Sequence, residues 1–127
     1  MDRCFTNILS DDVGRTADFY SEILGMQRHF DSDWFVILTH PGVEGLELGV
    51  LQRDHDIVPE AVRQAPSGVI VTFVVSDCDE VYARSKACSA DILEPPTNLF
   101  YGQRRMLLRD PDGTVVDVSS PIDPGAA

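Results

Sequence analysis

Two acids in this chain are set between apolar neighbours: Glu47 in Leu46-Glu47-Leu48 and Asp117 in Val116-Asp117-Val118. Successive side chains of an extended strand point to opposite faces, so each acid would project from one face while its neighbours pack on the other. A carboxylate on such a face can act as a hard metal ligand, a partner for a cation, or a general base whose pKa is raised by an apolar surrounding. Either acid alone reads equally well as a solvated strand residue. Their repeat-related placement raises the pair above that reading.

The other chemistry-bearing residues are dispersed. His29, His40 and His55 fall at a strand edge, in a turn and in a polar linker, where each is expected to be an exposed surface residue rather than a ligand. Cys4, Cys78 and Cys88 are odd in number and lack metal-type spacing, as expected of structural thiols in a reducing compartment. Asp54-His55-Asp56 resembles a polarised imidazole but has no accompanying nucleophile, and reads as a solvated charge cluster. There is no Gly-rich phosphate loop, no GxSxG elbow and no HExxH pair.

The elements that must hold these residues follow from local pattern. Cys4 to Ser10 reads as a strand, and Asp11-Asp12 then supplies a cap for a helix over about 13–24, with Val13, Ala17, Tyr20 and Leu24 at helical spacing and Gly25 at its end. Strands follow near 26–31, over Trp34 to Leu38 and over Leu46 to Leu51, with His40-Pro41-Gly42 as a turn. Beyond a polar, proline-containing linker the order repeats. Val69 to Val75 is a strand, Asp77 with Glu80 begins a helix, and strands lie near 91–94, 104–109 and 114–119.

The repetition holds residue by residue. Adding 65 takes Asp12 to Asp77, and adding 70 takes His40-Pro41 to Asp110-Pro111 and Leu46-Glu47-Leu48 to Val116-Asp117-Val118. The change of offset predicts a five-residue insertion around Pro95 to Gln103, read as a functional loop that would present Phe100 and Tyr101. The fold class is therefore α+β, two tandem βαβββ modules in a single domain: module 1 over about 1–52, a linker over about 53–67, module 2 over about 68–121 and a short tail at 122–127. A chain of 127 residues is the right size for one such domain.

Asp18-Phe19-Tyr20 followed by Ile23-Leu24-Gly25, the Asp110-Pro111-Asp112-Gly113 turn with Val115-Val116-Asp117 after it, and Gly102-Gln103-Arg104 upstream together resemble the vicinal oxygen chelate superfamily of glyoxalases, extradiol dioxygenases and bleomycin-resistance proteins. The resemblance implies sheets that curl into cups, a homodimer, and, in metal-using members, four ligands: one early in each module's first strand and an acid in each last strand. Glu47 and Asp117 match the last-strand positions, but counting back seven from Asp12 and Asp77 gives Phe5 and Ile70, which have no donor atoms. A shift of one residue brings in Cys4 or Thr6 and Val69 or Val71, and no histidine. A catalytic divalent metal is therefore disfavoured and no cofactor is expected.

What remains is a small-molecule pocket. Its expected lining is Phe5, Asn7, Trp34, Glu47, Ile70, Thr72, Phe100, Tyr101, Arg104 and Asp117, with Phe30 nearby. Trp34 and Phe35 should point to opposite faces, one in the core and one in the pocket. A net charge of −11 argues against nucleic acid and anionic membrane surfaces and suits a cationic ligand. With no signal peptide at Met1-Asp2-Arg3-Cys4, a cytoplasmic protein is expected. The favoured reading is sequestration of a partly aromatic, cationic ligand, as in the antibiotic-resistance branch. The alternative is a lyase, isomerase or dioxygenase using a divalent metal or a carboxylate base.

Overall fold

The computed structural model describes residues 1–122; the tail placed at 122–127 lies, from residue 123 on, outside the described residues. Eight strands and two helices follow in the order β1 (Thr6–Ser10), α1 (Val13–Leu24), β2 (Gln27–Asp31), β3 (Phe35–His40), β4 (Val43–Gln52), β5 (Ile70–Val74), α2 (Cys78–Ala87), β6 (Asp91–Asn98), β7 (Gln103–Arg109) and β8 (Val115–Pro121). A one-turn 3-10 helix, Glu60–Val62, interrupts the linker. Each βαβββ run forms its own open, mixed four-stranded sheet, ordered β1-β4-β3-β2 and β5-β8-β7-β6. In each, the first strand pairs parallel with the last, and the remaining ladders are antiparallel.

The chain divides into two compact units, Met1–Ser67 together with Pro111–Gly113, and Gly68–Asp110 together with the strand that follows Thr114. In the first, the Asp12 side chain caps α1 by accepting from Arg15 N, and Gly25, at φ 69°, closes it. The Gly25 and Met26 amides return to the Ser21 and Tyr20 carbonyls, the Gly25 bond being that of an αL-type helix end. Val13, Ala17, Tyr20, Ile23 and Leu24 of α1 are buried with Ile8, Val36, Leu38, Leu48 and Val50 of the sheet. These positions are spaced for one helix stripe and one pleated face, so the core follows from the alternation.

The tip of the last hairpin belongs to this first unit. Asp112 Oδ1 accepts from Asp11 N at 2.8 Å, the Thr16 hydroxyl donates to the same carboxylate, and Arg15 Nη2 donates to the Pro111 carbonyl. A carboxylate at a helix start complements the helix dipole.

In the second unit Asp77 caps α2, accepting from Asp79 N and Glu80 N. Cys78 and Val81 of α2 are buried with Met106, Leu108, Val116 and Val118. The anticipated loop at Pro95 to Gln103 is mostly strand: β6 runs through both prolines to Asn98, leaving only a tight turn before Gln103. Proline, which has no amide hydrogen to donate, is tolerated because β6 is an edge strand and its register against β7 breaks between Glu94 and Thr97.

Candidate functional site

Each sheet keeps one face for its helix and turns the other away from it, and the sequence-predicted site residues divide between these two open faces. On the first sheet the registers Asn7↔Gly49, Ile37↔Gly49, Phe35↔Leu51 and Phe30↔Ile37 place Asn7, Phe30, Phe35, Ile37, Gly49 and Leu51 on one face. One residue beyond the Thr6–Leu48 pair, Phe5 lies level with Glu47. This face is aromatic: the Phe30 and Phe35 rings are 5.8 Å apart, and the Trp34 ring is 5.8 Å from Phe35.

Gly49 is the floor of this face. A Cβ there would lie 2.0 Å from Asn7 Oδ1 and 3.2 Å from Phe35 Cε1, so the Asn7 carboxamide occupies the space over the glycine beside the Phe35 ring. Only a residue without a side chain allows that close approach. Sequence reasoning named Asn7 but missed Gly49, whose sole signal was a glycine inside a strand.

Glu47 projects from this face as expected, but it is already partnered. Arg3 Nε donates to Glu47 Oε2 at 2.7 Å and Arg3 Nη2 to Oε1 at 2.5 Å, while the Arg3 guanidinium lies 4.7 Å from the Phe5 ring centroid. The hydrogen bond from Arg3 holds the Glu47 carboxyl below the usual carboxylate range. That direction corrects the expectation of a base with a raised pKa.

Trp34 and Phe35 do not divide into core and pocket. Both are half-buried, because Trp34 precedes the first paired residue of β3 and strict alternation does not reach it. Instead Trp34 stacks on His55, with centroids 4.1 Å apart and planes 17° from parallel. His55 is therefore half-buried rather than exposed; His40 is half-buried as well, and each Nδ1 accepts a backbone N–H, from Ile57 and Gly42 respectively. His29 is exposed at the β2 bulge.

On the second sheet Thr72↔Asp117 and Arg105↔Ser119 share the open face. Asp117 Oδ2 accepts from the Thr72 hydroxyl at 3.3 Å and Oδ1 from the Ser119 hydroxyl at 2.6 Å. Ile70 is on the same face but level with Val115, so Thr72 rather than Ile70 stands beside the acid. The connection to the helix cap is two residues shorter than in the first module, Thr72 to Asp77 against Phe5 to Asp12. Arg104 turns the other way, toward α2, and binds Asp79 through Nε at 2.8 Å and Nη2 at 3.1 Å, with Nη1 on Asn98. Phe100 and Tyr101 form an exposed edge-to-face pair at the hairpin tip, Phe100 fully exposed.

The donor set does not fit a four-ligand transition-metal site. Phe5, Ile70 and Thr72 offer no nitrogen or carboxylate, both Glu47 oxygens are held by Arg3, and among the described residues no three His, Cys, Asp or Glu side chains gather as a metal cluster.

The family model for the Glyoxalase/Bleomycin resistance protein/Dioxygenase superfamily matches residues 4–118. Among solved structures, the chain is similar to a glyoxalase/bleomycin resistance protein/dioxygenase family enzyme from Burkholderia phytofirmans PsJN, with TM-score 0.79, 20% identity, and coverage of 93% of this chain and 97% of that one. It is similar to TioX from Micromonospora sp. ML1, with TM-score 0.71, 22% identity and coverage of 96% and 100%. Lactoylglutathione lyase from Agrobacterium tumefaciens gives TM-score 0.70, 19% identity and coverage of 91% and 90%. No curated protein gave a significant match. At these identities the structural likeness carries the fold and leaves the chemistry to the side chains.

Proposed function

The chain belongs to the glyoxalase/bleomycin resistance protein/dioxygenase superfamily, and from that membership we propose that it is a small-molecule-binding protein of the bleomycin-resistance type, which sequesters a partly aromatic ligand without a catalytic metal. The observation that carries this reading is the open face of the first sheet, where the Asn7 carboxamide and the Phe35 ring border a glycine floor and the Phe30 ring lies beside Phe35. Flat apolar walls with one polar group to fix orientation are the makings of a ligand pocket. Phe30 is 47% exposed, which leaves its ring accessible to a planar guest.

The enzymatic alternative has less support. A general base needs a pKa near the working pH, and Glu47 is shifted the other way by Arg3. Support for a cationic ligand is also reduced, because Arg3 already neutralises Glu47 and covers Phe5. The preference for positive charge then rests on the net charge of −11.

Trp34 reports on this face through Phe35, so titration with benzamidine and with neutral quinoline tests the reading. Saturable quenching is expected, weakened about tenfold in Asn7→Ala, the loss of one oriented hydrogen bond. Glu47→Gln is expected to weaken binding with the fold intact. No response to either compound would overturn the binding reading, and stoichiometric Ni, Zn, Fe or Mn in the purified protein would overturn its metal-free part. A homodimer in the cytoplasm completes the proposal, and sedimentation at micromolar concentration checks the assembly.

A further inference from the structure

The second sheet carries a charged side chain that neither sequence reasoning nor the first sheet's site uses. Arg105 is three-quarters buried on the open face, and its Nη2 donates to Glu94 Oε2 at 3.1 Å. Its Nε is fully buried and, among the described residues, meets no acceptor. A buried N–H on a charged group is costly to leave unmatched, so such an atom calls for a partner.

The ladders fix what stands around it. One row across the open face reads Thr97, Arg105, Ser119, Val74, and the next reads Glu94, Leu107, Asp117, Thr72. Arg105 thus has a hydroxyl on either side, while Asp117 stands one row away, about 7 Å along the strands. Thr72 and Ser119 take two of the roughly four acceptor positions of the Asp117 carboxylate, so it can accept further donors.

We infer that Arg105 is a specificity residue of this sheet: its guanidinium, on a side chain that keeps 27% exposure, receives the carboxylate of a ligand whose hydrogen-bond donor, about 7 Å away, reaches Asp117. The guanidinium edge presents two parallel N–H groups, the geometry that matches a carboxylate bidentately and that lysine cannot reproduce. Leu107, level with Asp117 and two residues from Arg105, supplies apolar contact for the body of the ligand. The ligand class is therefore a small hydroxy- or amino-substituted carboxylic acid with an apolar body, of which 4-hydroxybenzoate is a simple representative. The inference deepens the small-molecule-binding reading but concerns the second sheet alone.

The test uses the side-chain Nε–H resonances of the full chain in 15N-correlated spectra, with 4-hydroxybenzoate, benzamidine and inorganic phosphate as probes. The Arg105 Nε–H signal is expected to shift saturably with 4-hydroxybenzoate and to stay in place with benzamidine. Arg105→Lys should weaken 4-hydroxybenzoate at least about tenfold, since it keeps the charge and loses the fork. Glu94→Gln, at an exposed position that competes for Nη2, should tighten it severalfold. A signal that ignores 4-hydroxybenzoate, or that drifts equally with phosphate and without saturation, would overturn the assignment. The two readings fail separately: loss of the Trp34 response with a saturable Arg105 shift would sink the first-sheet pocket and spare this one.

Discussion

The open faces of the two sheets differ more than their helix-packed faces do. Repeat-related Leu38 and Leu108 are both fully buried under their helices. On the other side, the first sheet presents Phe30, Phe35 and Asn7 over a glycine, whereas the second presents Arg105, Ser119, Asp117 and Thr72. The duplicated architecture thus constrains the face that must exclude water and leaves the other free to diverge in chemistry. Where two copies of a module depart from each other is where ligand selectivity is to be sought.

The largest expected effects test the conserved half of that comparison. Leu38→Ala and Leu108→Ala should each destabilise the protein by about 2–5 kcal/mol, read by urea denaturation, since both leave a cavity under a helix. A cost near zero for one of them would show that the modules are not equivalently packed. Gly49→Ala should have a smaller effect on stability and a large one on binding: its Cβ would displace the end of the Asn7 side chain, a flexible group that can move. Trp34 titration should then show about tenfold weaker binding or none, with the circular dichroism spectrum unchanged.

A subtler test concerns the Arg3–Glu47 pair, which has no counterpart at Asp117 among the described residues. Because the folded-state pKa of Glu47 is lowered, the pair's stabilisation is present above the ordinary glutamate range and is lost as pH falls through the lowered value. Melting temperatures of the wild type and Glu47→Gln should therefore differ slightly at neutral pH and converge in acid, below about pH 4. A difference that grew on acidification would mean that Arg3 is not its partner. The smallest effect is expected at the hairpin tip, where Phe100→Ala should leave both stability and the Trp34 response unchanged, the ring being fully exposed.

Local signals carried most of the architecture. Asp12, Asp77 and Gly25 announce helix ends because capping involves only a few neighbouring residues, and Leu46-Glu47-Leu48 announces its faces by simple alternation. Non-local facts were hidden. Nothing near Glu47 in the sequence reveals Arg3, forty-four residues earlier, and nothing near Pro95-Pro96 reveals that β6 lies at an edge where prolines are tolerated. Arg104 and Arg105 are adjacent, and the unbroken apolar run Met106-Leu107-Leu108 masks which of the two shares a face with Asp117. One step of register decides that question, and it is set by the ladders with β6 and β8.

The bond from Asp112 to the start of α1 bears on how the chain acquires its structure during synthesis. Its partners Asp11 and Thr16 are made about a hundred residues before it. While the first module emerges from the ribosome, those donors have only water and their own neighbours. The last hairpin supplies the missing acceptor only after about a hundred further residues have been made. Closing so long a loop is a late and entropically demanding event. The beginning of the first helix should therefore gain protection from hydrogen exchange late, although it is translated well before the hairpin that completes it.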